Sequence, residues 1–339
     1  SLFKNKAVIY LIVIYFFLLF NSLISIDFKE GISRNIGFFR FILLFMAINY
    51  LFSSNKNINS LYKFWLFIFV VVLLDSFLEF FTGGNIFGYT DSSGKRIVSF
   101  FKDEPIVAGY LNGFLFIVFG YLFSNFDKKK LDKKIFIYFV IVSFFLCILI
   151  TGERSNTLKF MLGMLIFINF NKFIKFKLLF LIVAILLFSL SYFSSEKLKN
   201  RYGGQLIYLI DNQEKRKIFY EENLYMKLYS SGIEVFKKYP IFGVGNKNYR
   251  TEVCGNNTNE KYVCNTHPHQ IYIEFLSEHG ILGSLIFLLI IFFLIFRNFK
   301  AMIKSRNLIQ VGSFCYLISV FLPILPSGSF FGDFNATLF

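Results

Sequence analysis

The three histidines of this chain lie between positions 267 and 279, in the stretch CNTHPHQIYIEFLSEHGILGSL. Imidazole titrates nearest neutrality of all side chains, so a histidine beside a carboxylate suits general-base work. Glu274 and Glu278 follow His269 at five and nine residues. Pro268 forces an extended or turn conformation just before a long apolar run. His267 and His269 therefore belong at the mouth of a helix, with His269 near its first turn. His269 is the candidate base, and His267 and Glu278 are candidate substrate-binding groups. Two other readings compete. A histidine at a membrane interface is often only an amphipathic anchor. Alternatively, Cys254, Cys264, His267 and His269 could ligate zinc, but their spacing matches no recognised structural zinc pattern. No metal and no other cofactor is expected.

A second cluster is Thr151-Gly-Glu-Arg154-Ser-Asn156, a polar break between two short apolar runs. An arginine at membrane depth is costly and marks a functional site by default. Its planar fork can give a diphosphate two charge-assisted hydrogen bonds, which a lysine cannot match. The plainer reading is a snorkelling arginine, or one paired with Glu153. A third cluster, in the loop 82–104, carries Arg96, Lys102, Asp103 and Glu104. By charge alone this is an ordinary solvated loop. Asp75 and Glu79 precede it, four apart and so on one helical face.

The elements that must position these groups are membrane helices. The chain has 339 residues, 55% of them hydrophobic, and the excess falls in blocks near the ~20 residues that cross a bilayer. Only helices satisfy their own backbone in lipid without closing into a barrel. Nine spans are expected, near 7–25, 36–52, 64–81, 105–124, 135–150, 157–171, 177–194, 271–296 and 307–325. With the N-terminus inside, short inner segments carry sixteen Lys and Arg and short outer ones six, so the positive-inside rule sets the orientation. The net charge of +15 is thus a topology signal and not a nucleic-acid footprint. All three polar clusters project to the outer side.

The expected organisation is all-α: seven spans with short loops over 1–194, a large outer loop over 195–270, and C-terminal spans over 271–339. Within the loop, 215–238 has apolar residues near helical spacing, and Pro240 with Gly243 and Gly245 makes a turn. The chain starts at Ser1 and stops just past an apolar run, so further segments are expected in the full gene product. Cys254 and Cys264 lie ten apart on the oxidising side, where a disulfide is the leading reading. Cys147 and Cys315 sit in spans as small apolar fillers.

These residues resemble a family. Pro240-Ile-Phe-Gly243-Val-Gly245, then Thr266-His267-Pro268-His269-Gln270, nine residues and Gly280-Ile-Leu-Gly283, resembles the signature of the bacterial O-antigen ligase and O-antigen polymerase superfamily. Gln270 stands where Asn is commoner. Thr151-Gly-Glu-Arg154-Ser resembles the family's arginine motif, Arg96 to Pro105 its early loop, and Pro326-Ser-Gly-Ser-Phe-Phe331 a motif near its C-terminal spans. The resemblance runs from about residue 84 to 331. It implies a helical membrane domain under a large periplasmic loop, in the bacterial inner membrane. It implies a metal-independent, inverting glycosyltransferase whose donor is an undecaprenyl-diphosphate-linked glycan and whose acceptor is lipid A–core or another lipid-linked glycan. His269 and Arg154 then match essential residues. A second family arginine falls where this chain has Tyr225, so Arg216 or Lys227 is expected to replace it, with help from Arg96. The Thr-His-Pro-His and Gly-Glu-Arg-Ser forms lean toward the polymerase branch. A transporter or flippase of lipid-linked glycans or anionic solutes is the alternative. It would show inverted repeats and ionisable groups deep in spans; no repeat is evident, and Asp75 and Glu79 are the main such groups.

Overall fold

The computed structural model describes residues 6–51, 55–125, 131–171, 174, 177–203, 222–255, 259–305 and 307–332. The described elements are helical. In chain order they are α1 (Lys6–Leu23), α2 (Phe28–Leu51), α3 (Asn55–Thr82), α4 (Val107–Asn125), α5 (Leu131–Ile150), α6 (Arg154–Phe170), α7 (Lys177–Ser194), α8 (Leu224–Lys238), α9 (Tyr249–Cys254), α10 (Ile271–Ser305) and α11 (Leu308–Val320). Each expected span coincides with a helix. Among the described residues five helices, α1 to α4 and α10, are long and apolar enough to cross a membrane, and the bent pair Leu181–Ser194 and Glu196–Gly203 makes up to six. The apolar stretches Ile135–Ile150 and Leu308–Val320 are shorter. The chain is a multi-pass membrane protein.

It divides into two compact units. The first comprises residues 1–58, 213–294 and 323–339, and the second 59–212 and 295–322.

The first unit has a small apolar core of Ile14, Leu18, Phe38 and Ile42 from the α1–α2 hairpin, joined by Ile286, Ile290 and Phe331. A satellite core of Val235, Val244, Tyr249 and Val253 packs α8 onto α9. Helix α8 starts at Leu224 because the Asn223 side chain accepts the Tyr225 and Met226 amides at 3.0 and 3.4 Å. The part of the expected 215–238 helix before residue 222 lies outside the described residues.

Helix α10 bends at Gly280, whose φ is 62° and ψ −164°. The bend frees backbone groups that lipid cannot satisfy. The turn after α8 takes them up. Val244 and Gly245 amides donate to the carbonyls of Ser277 and Glu278 at 3.0 and 2.8 Å, and Ile281 and Leu282 amides donate to Pro240 and Ile241 carbonyls at 2.9 and 3.3 Å. A Cβ at Gly243 would strike the Glu278 backbone, and one at Gly280 the Ile241 carbonyl. Two separated sequence motifs are therefore one interlocking object.

The core of the second unit is larger and runs through α3 to α6 and α11. Phe116, Phe119, Phe144, Phe160 and Phe167 are fully buried in it, and their rings meet at 5.3–6.5 Å.

Candidate functional site

In the first unit, Gln270 opens α10: its Oε1 accepts the Ile273 amide at 2.8 Å. His269, one residue earlier, has a φ of 55°. A non-glycine residue there is strained and marks positions where surrounding structure dictates the backbone. Its ring lies 4.0 Å from that of His267, centroid to centroid, and Tyr225 meets it edge-on at 6.0 Å. An aromatic ring thus lies against the histidine where the sequence resemblance led one to expect an arginine.

Both histidines are half-buried. Thr266 Oγ1 lies 2.9 Å from His267 Nδ1, and His267 Nε2 is buried without a hydrogen-bond partner among the described residues. Burial, then the positive neighbours His269 and Lys247, hold the His267 imidazole down to about 3, against a backbone interaction with Ser327 that favours the proton. Burial also lowers the pKa of His269. Both rings are neutral at physiological pH. A neutral His269 can accept a proton, and it touches solvent.

Glu278, expected to contact substrate, is fully buried. Neither of its oxygens has a hydrogen-bond partner, and the amides of Lys247 and Tyr249 are its polar neighbours. It faces the interior because it lies on the same side of α10 as Glu274. Lys227 is exposed on α8, two residues from Tyr225 and so on a different face from the ring that meets His269. Arg216 lies outside the described residues. Cys254 and Cys264 form a disulfide with Cα atoms 4.6 Å apart, which removes both thiolates from a zinc site. The pair closes the segment that leads into Thr266–His269.

In the second unit, the Thr151–Arg154 turn gathers three arginines. Arg154 begins α6, and its Nη1 donates to the Arg201 carbonyl at 3.3 Å. Arg201 Nε donates to the Gly152 carbonyl at 2.8 Å. The stems of Arg96 and Arg201 both flank Gly152, and the Ile97 amide donates to Thr151 at 3.2 Å. Arg201 follows a span in a charged stretch, and only the fold reveals that it joins Arg154. Glu153 is directed elsewhere. Its carboxylate accepts the Ala108 and Gly109 amides at the start of α4 at 2.6 and 3.3 Å, and the Asn156 side chain at 2.6 Å. Burial raises its pKa to about 7 against those hydrogen bonds and the charge of Arg96.

Asp75 and Glu79 serve the outer loop. Glu79 accepts the amides of Val98 at 3.1 Å and Ser99 at 2.6 Å. Asp75 accepts the Ile86 amide at 2.9 Å and the Ser99 hydroxyl. These carboxylates fix the backbone next to Arg96.

Comparison with known proteins gives one finding that bears on these residues. A family model described as O-antigen ligase matches residues 137–288, a range that holds Arg154, Arg201, Tyr225, Lys247, His267 and His269. No curated protein matches significantly.

Proposed function

We propose, from the match of residues 137–288 to the O-antigen ligase family model, that this protein moves a glycan from an undecaprenyl-diphosphate carrier to a sugar hydroxyl at the periplasmic face of the inner membrane. The observation that carries this reading is the state of His269. Burial lowers its pKa, it is partly solvent-accessible and strained, and it lies inside the range that the family model matches.

The chemistry follows from the groups present. The acceptor hydroxyl attacks the anomeric carbon, and His269 takes its proton. The bond from that carbon to the diphosphate oxygen breaks, with inversion. Undecaprenyl diphosphate leaves as an anion and needs no strong acid, but its charge must be held. The sequence resemblance assigns that task to Arg154, against whose turn Arg96 and Arg201 pack. General-base action contributes roughly 10²–10⁴-fold, and charge stabilisation in a low-dielectric setting can equal it. The donor is a lipid-linked glycan and the acceptor is lipid A–core or a second lipid-linked repeat.

Glycan profiling by gel in a deletion strain tests this, with complementation by wild type, His269→Ala, Arg154→Ala or Arg154→Lys. The polymerase reading expects lipid A–core bearing a single repeat in the deletion strain and with His269→Ala. The ligase reading expects bare core with long lipid-linked polymer. Arg154→Lys should rescue poorly, because it keeps charge and loses the fork. An unchanged profile in the deletion strain would overturn the O-antigen assignment.

A further inference from the structure

Glu274, on the first turn of α10, has no part in the roles above. It is fully buried. Its Oε1 accepts the Ser329 hydroxyl, and its Oε2 accepts the Phe330 amide at 2.8 Å. The Ser329 oxygen in turn accepts from Lys247 Nζ. Two residues earlier, the Ser327 amide donates to the His269 carbonyl at 2.9 Å, and the Ser327 hydroxyl accepts the Ile271 amide at 3.0 Å. The rings of Phe330 and Phe331 close on Phe275 at 5.1 and 5.5 Å. One short segment is therefore pinned to Glu274 at one end and to the backbone on both sides of Gln270 at the other. His269 keeps a left-handed φ, which for a non-glycine residue persists only where its surroundings over-determine it.

We propose that Glu274 is a positioning residue for His269: the Lys247–Ser329–Glu274 clasp holds Ser327 on the histidine's backbone and so fixes which face of the imidazole meets the acceptor hydroxyl. This rests on the reading of His269 as the base. The clasp joins three motifs distant in sequence. Lys247 follows the Gly243–Gly245 turn, Glu274 follows the histidines, and Ser329 lies in the Pro326–Phe331 motif. The half-buried Lys247 ammonium reaches the buried Glu274 carboxyl through a hydroxyl, so removing Lys247 leaves that carboxyl without its counter-charge. Glu278, Tyr249, His267 and His279 are the other titratable groups around it.

The test uses the full chain in proteoliposomes with a lipid-linked glycan donor, comparing wild type with Glu274→Gln, Ser329→Ala and the double variant. Two readouts are taken: kcat against KM, and the rate at which diethylpyrocarbonate modifies His269, located by mass spectrometry. Misplacement of a catalytic group by about 1 Å can cost ~10²-fold. The expected result is a kcat lower by roughly 10–100-fold, a KM for donor little changed, a double variant no worse than Glu274→Gln, and an altered His269 modification rate. Ser329→Ala is the milder variant and keeps the test decisive if Glu274→Gln fails to insert. A normal kcat in folded variants, additive losses, or an unchanged modification rate would overturn the proposal. The modification rate is independent of activity, so it reads the clasp even if His269→Ala retains transfer and the base reading fails.

Discussion

His269 and His267 share a motif and differ in what their surroundings allow. Burial lowers both pKa values, and Lys247 presses further on His267. A base must be neutral to work, and the unperturbed value is about 6.5. The acid limb of kcat should therefore fall at a pH below that ordinary value and should vanish with His269→Ala, as a pH–rate series would show. His267→Ala should leave the limb in place, because a group at about 3 does not titrate in that range. The same shift bears on stability. The folded pKa of His267 is depressed, so the unfolded chain binds its proton first, and stability falls as pH drops from about 6.5 toward 3. His269 and Arg154 were legible because the motif spacing names them. Lys247 and Arg201 were not, because each meets its partners only through a turn between distant segments. The burial of Glu278 was not legible, because spacing along a helix does not say which face is buried.

Among the elements, the break in α10 carries the most information. Gly280 takes a φ of 62° with a ψ of −164°, a region nearly closed to residues with a Cβ, where one costs about 1–3 kcal/mol before any clash. Its Cβ would also strike the Ile241 carbonyl. Gly280→Ala should lower the melting temperature in detergent by more than that conformational term alone, and Gly243→Ala should do likewise. The double variant should lose less than the sum, because both act on one contact. The disulfide works on the neighbouring segment. Replacing Cys254 and Cys264 with Ser should cost on the order of 2–3 kcal/mol of loop order, seen as faster proteolysis before Thr266. Apolar block length located the helices but not all their ends: α3 starts at Asn55 against an expected 64, and α10 runs to Ser305 against 296. The start of α2 at Phe28, well before the apolar block, was missed because its first turns carry Lys29, Glu30 and Arg34.

For the molecule as a whole, hydropathy and Lys/Arg bias predicted a multi-pass helical protein, and five described helices meet the length and hydropathy needed to cross. The interleaving of chain segments in the two compact units was not legible. It depends on backbone contacts such as Val244 to Ser277 and Ser327 to His269, which side-chain patterning does not encode. The central claim is that the family's histidine drives glycan transfer in this chain. The most direct measurement is transfer by the purified full-length protein in proteoliposomes, from an undecaprenyl-diphosphate-linked glycan to an acceptor glycan, comparing wild type with His269→Ala at equal amounts of folded protein. The account predicts transfer by the wild type and a loss of at least about 10²-fold in the variant. Equal transfer by both would contradict it.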